Sequence, residues 1–269
     1  MYLLYSDESN LEPQDSTFFI YGGIAINTEK AKDLSDDLQR IRNESGISPD
    51  FILKFKPKPN NLEHSTFNDC KKRIIQKAVE RECLLFISLI NHNIANTPEE
   101  ARRNEINRVS FHFNSFLNRR RSSGLMLIDR FDDSQIDAQL REKFSIGLHG
   151  LPYSDPFKLD RILGYHYSAK GQSNFGSIVD IVICSFRYAI NVFCKNEEPR
   201  LETASRLLRL IAPLFYKEEG ESRVSEISLF FSPKIIRAPS YRQEYEKLKE
   251  FLSNNGIITA QEITDQRLY

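Results

Sequence analysis

Short apolar runs alternate with longer amphipathic segments along this chain, and this alternation restricts the fold more than any other feature of the sequence. Four runs have the length and the β-branched or aromatic content of buried strands: YLLYS (2–6), TFFIYGGIAI (17–26), CLLFISLIN (83–91) and GLMLIDR (124–130). Segments with the apolar spacing of helices stand between and after them. Strands that alternate with helices predict an α/β domain with a partly parallel sheet between helical layers.

The remaining segments continue this pattern. FILKFK (51–56) alternates apolar and polar residues and predicts an edge strand that carries Lys54, while KLDRILGYHYS (158–168) and ISLFFSP (227–233) predict two more strands. The polar stretch between the first two runs predicts a hairpin, and Gly22-Gly23 predicts either a bulge or a close approach of two backbones. Helices are predicted over 27–45, 66–81, 97–121, 133–147, 176–193, 199–216 and 239–254.

Composition narrows the function classes. The 269 residues contain 37 Lys and Arg against 37 Asp and Glu, which argues against a uniformly basic nucleic-acid binder but leaves local basic patches open. The four cysteines have no zinc-finger spacing and predict free thiols in a reducing compartment. The opening residues lack a signal-peptide pattern, and the runs at 84–90 and 181–186 are shorter than the ~18 residues that span a bilayer. We therefore expect a cytoplasmic protein without a membrane partner.

Three acids occupy informative positions. Asp7 is predicted just past the carboxyl end of the first strand, Asp129 just past that of LMLI, and Asp180 within the most apolar helix. Sites in open α/β sheets form outside the carboxyl ends of strands, so two such acids would share one crevice and a helix across it would supply the third. Converging carboxylates repel one another unless a divalent cation neutralises them, and Mg²⁺ or Mn²⁺ prefers oxygen ligands of this kind. Such a site activates water and stabilises a phosphodiester transition state.

Each acid also has a purely structural interpretation. Asp7 is compatible with a turn, Asp129 with a pair to Arg130, and Asp180 with a solvent-facing stripe of its helix. Glu8 ligates a cation beside Asp7 only if the strand has already turned, because neighbouring strand residues point to opposite faces. Lys54 is either a phosphate contact or a solvent-facing lysine on an edge strand.

Several of these segments, taken in order, resemble the DUF3800 family. The features that carry this resemblance are Asp7-Glu8-Ser9-Asn10 after a strand, the phenylalanine-rich strand with Gly22-Gly23, Leu53-Lys54, LMLIDR, and Ser168-Ala169-Lys170 leading to Ile178-Val179-Asp180. The resemblance covers about residues 1–195. Three positions depart from the family pattern: Asn10 replaces a glycine, and Ser177 and Val179 replace a glutamine and an alanine before Asp180.

The resemblance implies an RNase H-like three-layer core over residues 1–195, with a mixed sheet and a mainly helical extension over 196–269 that packs on it. It also implies a divalent-metal-dependent nuclease that acts on DNA or RNA, in phage defence or mobile-element biology. Its Mg²⁺ or Mn²⁺ would be held by Asp7, Glu8, Asp129 and Asp180, and Lys54 would assist catalysis. The alternative is an RNase H-like binding or sensor module without activity, which the altered residues before Asp180 favour.

Overall fold

A mixed sheet forms the middle layer of the protein in the computed structural model, which describes residues 1–12, 17–130, 135–148 and 157–266. Within these residues the sheet has six strands, namely β1 (Tyr2–Ser9), β2 (Phe18–Asn27), β3 (Leu84–Asn91), β4 (Gly124–Asp129), β5 (Ile162–Ser168) and β6 (Leu229–Ser232). Their order across the sheet is β5-β4-β1-β2-β3-β6. β1/β2 and β2/β3 pair antiparallel, whereas β1/β4, β4/β5 and β3/β6 pair parallel. The predicted α/β architecture with a partly parallel sheet is confirmed.

Helices cover both faces of the sheet. The described helices are α1 (Thr28–Glu44), α2 (His64–Glu80), α3 (Pro98–Arg119), α4 (Ile136–Ser145), α5 (Asn174–Cys194), α6 (Leu201–Ile211) and α7 (Pro239–Ser253). One core cluster joins α1, α2, α5, α6 and α7 to one face, and a second joins α3 and α4 to the other. Because side chains alternate along β1, Tyr5 packs with the first cluster and Leu4 belongs to the second.

Segment 51–56 is not a strand, contrary to its alternating sequence. It is an extended stretch outside the sheet that lies over the α5 side of the core, and we call residues 48–56 the strap. Leu53 and Phe55 are buried while Ile52 is exposed. Any extended chain with one side against a core shows this period of two, so the pattern does not require a strand partner.

The Gly22-Gly23 pair lies where neighbouring backbones come close together. The register across it is unbroken, with Ser6 opposite Gly23 and Asp7 opposite Gly22, so the predicted bulge is wrong. A Cβ atom at Gly22 would lie 2.6 Å from the carbonyl oxygen of Phe86, and one at Gly23 would lie 2.5 Å from that of Tyr5. The alternative prediction, a close backbone approach, is confirmed.

The stretch after residue 195 contributes to the sheet as well as to the helical layer. β6 extends the sheet beside β3, and residues of α6 and α7 share a core cluster with α5. The amide of Gln261 closes the outer edge of β6, since its Oε1 accepts from the Phe231 N–H at 2.7 Å and its Nε2 donates to the Phe231 carbonyl at 2.8 Å. Residues 1–195 and 196–266 therefore share one sheet and one core.

The apolar helix α5 is long and apolar enough to cross a membrane by length and composition, but 61% of its most apolar window is buried within the fold. It packs against β1, β2 and α6 as a core helix. All four cysteines are free thiols, as predicted.

Candidate functional site

Asp7 and Asp129 lie side by side on neighbouring parallel strands. The β1/β4 register pairs Tyr5 with Leu127 and Ser6 with Ile128, so the next position sets Asp7 beside Asp129. The sequence predicts both acids just past the strand ends, but both lie within their strands, because β1 continues to Ser9 and β4 ends at Asp129 itself. Both line the cavity on the α5 face of the sheet. Gly22 is opposite Asp7 on the other side, so no side chain from β2 stands beside this carboxylate.

Asp180 faces the same cavity from α5 and contacts the strap. Its Oδ2 accepts a hydrogen bond from the Phe55 N–H at 2.6 Å, and its Oδ1 lies 3.7 Å from Nζ of Lys54. Its side chain is 15% exposed, so the interpretation as a solvent-facing stripe is wrong. Lys54 lines the cavity from this segment, and the structure therefore brings Asp7, Asp129, Asp180 and Lys54 to one place.

The end of β5 and the loop that follows it supply two cavity residues that the sequence does not predict as site residues. Ser168, the last residue of β5, pairs with Asp129 across the β4/β5 register. Nζ of Lys170 lies 3.9 Å from Oδ2 of Asp129, and both Ser168 and Lys170 line the cavity. In the sequence, Ser168 stands at the end of a predicted strand and Lys170 two residues later, but a single serine and a single lysine at such positions are too common to indicate a site.

Glu8 lies on the opposite face of β1. Its Oε2 lies 2.7 Å from Nε of Arg102, a side chain of α3 that is 6% exposed. Burial raises the pKa of Glu8 to about 7, and Arg102 acts against this rise. The prediction of Glu8 as a metal ligand needs β1 to turn before residue 8, but β1 stays regular to Ser9 and Glu8 is not among the cavity residues.

A pair of asparagines fastens the end of β1 to α5. Nδ2 of Asn10 donates to Oδ1 of Asn191 at 2.9 Å, and Nδ2 of Asn191 donates to Oδ1 of Asn10 at 3.2 Å. Asn10 has a φ of 59°, a left-handed conformation that asparagine tolerates better than most residues. The two hydrogen bonds between Asn10 and Asn191 fix the helix that carries Asp180 to the end of the strand that carries Asp7.

The cavity is small and its charges are close together. Its volume is about 50 Å³, which is room for a few waters or a small hydrated ion. Burial raises the pKa of Asp7 to about 6, and the carboxylate of Asp129 adds to this rise. The two lysines bring positive charge to an otherwise acidic cavity, since Lys54 lies beside Asp180 and Lys170 beside Asp129.

The donor set fits a hard divalent cation in kind, because three carboxylates and a serine hydroxyl line one cavity and a partly buried acid there has a raised pKa. The arrangement is not a formed cage, however. Among the described residues, no three His, Cys, Asp or Glu side chains come together closely enough to hold an ion. In this arrangement Asp180 contacts the Phe55 N–H and lies near Lys54, and Asp129 lies near Lys170.

Comparison with protein-family models and with curated proteins finds no match to this chain. The interpretation of the site therefore rests on its own geometry. Asp133, which the sequence suggests as a helix cap or a further ligand, lies outside the described residues.

Proposed function

We propose that this protein is a divalent-metal-dependent phosphodiester hydrolase, a nuclease with an RNase H-like fold related to the DUF3800 family. One observation carries the proposal: two acids in register on adjacent parallel strands face one cavity together with a third acid from the core helix. Two carboxylates on neighbouring strands repel each other, so this arrangement is costly unless positive charge compensates it.

The fold and the sequence motifs support the same assignment. A mixed sheet with helices on both faces is consistent with an RNase H-like core. The close-packed glycine pair beside Asp7 and the left-handed Asn10 give physical reasons for two features of the resembling family pattern.

In this proposal Asp7, Asp129 and Asp180 hold Mg²⁺ or Mn²⁺, and the lysines contact the substrate. A bound divalent cation supplies an activated water and charge stabilisation for phosphodiester hydrolysis. Lys54 lies beside Asp180 and Lys170 beside Asp129, where both ammonium groups would be within reach of the phosphate oxygens of a substrate. The strap and α5 wall the cavity and limit its water to a few molecules.

The test combines metal binding with hydrolysis of a minimal substrate. We expect Mn²⁺ to raise the melting temperature of the wild-type chain and to support hydrolysis of bis(p-nitrophenyl) phosphate, and Asp129→Asn to remove both effects. Asp160→Asn is the matched control, because Asp160 is an exposed acid in a turn before β5. A wild-type chain that shows no response to Mn²⁺ or Mg²⁺ in either measurement rules the proposal out.

A second candidate is a catalytically inactive binding or sensor module of the same fold. It is favoured by the absence of a formed ligand cage among the described residues and by the contacts of Asp180 with Lys54 and Phe55. In that case the pairs Lys54–Asp180 and Lys170–Asp129 would compensate the acidic charges of the cavity, and no metal ion would be needed. The module would bind nucleic acid without hydrolysing the phosphodiester, in the presence or absence of a divalent cation.

A further inference from the structure

The acidic cavity is too small for a nucleotide. Its volume of about 50 Å³ admits an ion, a few waters and the oxygens of a phosphate. The sugar and base on either side of a scissile phosphate must therefore lie outside it.

A larger groove opens directly beside this cavity. It has a volume of about 680 Å³ and shares Tyr5, Ile52, Leu53, Gly171, Ser173 and Ser177 with the cavity. Its other walls come from α1, from the strap and from the start of α5. We call it the amide groove, after the side chains of Gln39, Gln172 and Asn174 that line it.

The charge of the amide groove differs from that of the cavity. Its lining contains one cation and one anion, Arg42 and the exposed Asp50. Arg42 is buried and donates to the carbonyls of Ser48, Pro49 and Phe51, so its guanidinium is engaged with the strap. A path for phosphates requires free Lys or Arg side chains, and the amide groove therefore suits an uncharged part of a substrate.

The remaining lining has the chemistry that recognises a nucleoside. Side-chain amides donate to and accept from base edges, and Gln39 and Gln172 are exposed. Nε2 of Gln39 donates to Oδ1 of Asn43 at 3.0 Å and Nδ2 of Asn174 donates to Oγ of Ser35 at 3.3 Å, so these contacts hold two of the amides in place in the groove wall. Ile52 is 47% exposed on the ridge between groove and cavity, where it lies against Gly171. A large aliphatic side chain in such a position offers an apolar contact for the face of a base.

We infer that the amide groove binds one unpaired nucleoside next to the scissile phosphate, so that the substrate is a single-stranded nucleic acid. This inference rests on the proposed function for its link to cleavage. A base that lies between the strap and α1 cannot at the same time pair within a duplex. The phosphate of the same nucleotide would then lie at the cavity, within reach of Lys54 and Lys170.

The first experiment measures binding without catalysis. Fluorescence anisotropy compares a labelled single strand of about eight nucleotides, as DNA and as RNA, with a blunt duplex of the same sequence, using full-length Asp7→Asn protein. We expect one or both single strands to bind about tenfold more tightly than the duplex, and the DNA and RNA arms to show whether the sugar matters. Duplex binding that equals or exceeds single-strand binding overturns the inference.

A matched pair of isoleucines tests the groove itself. In the same background, Ile52→Ala should weaken single-strand binding about fivefold or more, because the apolar contact with the base is lost. Ile258→Ala removes an equally exposed isoleucine, 48% against 47%, outside the groove lining, and should leave binding within about twofold. Equal effects of the two variants overturn the inference.

Wild-type hydrolysis of bis(p-nitrophenyl) phosphate separates the two proposals, because this substrate carries no nucleoside. Hydrolysis without a preference for single strands rejects the amide groove and retains the proposed function. Single-strand binding that depends on Ile52, without any hydrolysis in Mn²⁺, rejects the hydrolase and supports the groove as the site of a binding module.

Discussion

Asp7 and Asp180 share one cavity but differ in what compensates their charges. Asp180 accepts the Phe55 N–H and lies near Lys54, whereas the described contact of the Asp7 carboxylate is the N–H of the adjacent Glu8 at 2.8 Å. Burial and Asp129 together raise the pKa of Asp7 to about 6 from its ordinary 3.8. The ionised form of Asp7 is therefore unfavourable in the metal-free fold.

Asp7→Asn should stabilise the metal-free protein at neutral pH. A carboxyl with a raised pKa in the folded state favours folding below its ordinary pKa of 3.8, and this contribution is lost as the pH rises through about 6. Removal of the charge should raise the free energy of unfolding by about 1–3 kcal/mol at about pH 7.5, and the gain should disappear near pH 4. Urea unfolding in EDTA at both pH values measures this difference.

Asp160→Asn provides the control, because Asp160 is exposed and its change should lie within about 0.5 kcal/mol at either pH. Asp180→Asn should not stabilise the fold, since its carboxylate already accepts a backbone hydrogen bond and lies near an ammonium group. A gain at neutral pH that persists unchanged at pH 4 would contradict the assignment to the Asp7 charge.

Individual site residues were predictable where their setting in the sequence was unusual. An aspartate among the apolar residues of α5, and aspartates at the ends of apolar strands, stand out against their neighbours. Lys170 was not predictable as a site residue, because its role depends on β5 lying next to β4, and an exposed lysine after a strand has no distinguishing local pattern.

The strap is positioned by side chains rather than by a backbone ladder. Arg42 of α1 donates to three of its carbonyls, at 3.1 Å to Ser48, 3.4 Å to Pro49 and 2.7 Å to Phe51. At the C-terminal end of the strap, the Phe55 N–H donates to the carboxylate of Asp180. Lys54 thus reaches the cavity through a segment with one fixed point on α1 and another on α5.

Arg42→Met removes the hydrogen bonds that hold the strap, and the methionine side chain retains much of the apolar volume of the arginine side chain. Loss of the hydrogen bonds from a charged donor should lower the free energy of unfolding by about 1–3 kcal/mol. Hydrogen exchange should show faster exchange of the amides of Phe51 and Phe55 than in the wild type, ahead of global unfolding.

Arg40→Met is the comparison for this variant. Arg40 lies on the same helix, but it is 58% exposed and its contact is an ion pair with Asp37, so its removal should change stability by less than about 1 kcal/mol. The strap would not depend on Arg42 if both variants exchanged its amides at the same rate.

Elements were predictable from periodicity where the pattern spanned a whole buried face. The bounds of four elements agree closely with the predicted segments, because each of these segments has one continuous apolar pattern that a single helix or strand buries; the elements are β3, α3, α5 and α7. The strap was predicted as a strand because burial on one side produces the same alternation with or without a neighbouring strand. Whether residues 51–56 form backbone hydrogen bonds with a neighbouring strand depends on residues far away in the sequence, and the local pattern carries no information about them.

At the scale of the whole molecule, truncation after Lys195 should prevent stable folding. It removes β6, α6 and α7, which leaves the outer edge of β3 unpaired and uncovers apolar residues of α5 such as Phe186 and Ile190. We expect the shortened chain to be insoluble or to lose its cooperative thermal transition, as calorimetry would record. A soluble monomer with an undiminished melting temperature would contradict this.

Two leucines provide a milder test of the same point. Leu208 of α6 is fully buried, and Leu208→Ala should lower the free energy of unfolding by about 2–5 kcal/mol. Leu163 of β5 is 53% exposed, and Leu163→Ala should have an effect within about 0.5 kcal/mol. Similar losses in both variants would argue against a C-terminal stretch that belongs to the core.

The order of the strands could not be obtained from the sequence. Local patterns predicted strands and helices, and hence an α/β class, but the neighbours of each strand are set by packing between distant segments. The strand at 227–233 was predicted, whereas its place beside β3 was not. The resemblance to a known family ended near residue 195, so it gave no reason to join β6 to the sheet.

The place of β6 also fixes the order in which the molecule is completed during its synthesis. β3 leaves the ribosome early, but its outer neighbour follows only after Ser232 has been made, and Gln261, which closes the final edge, comes later still. Throughout that interval the nascent chain presents a strand edge and an apolar surface that the finished protein hides. Slow translation of the message between the codons of Asn91 and Gln261 would lengthen this exposure, and chaperone binding to the nascent chain would matter most during that interval.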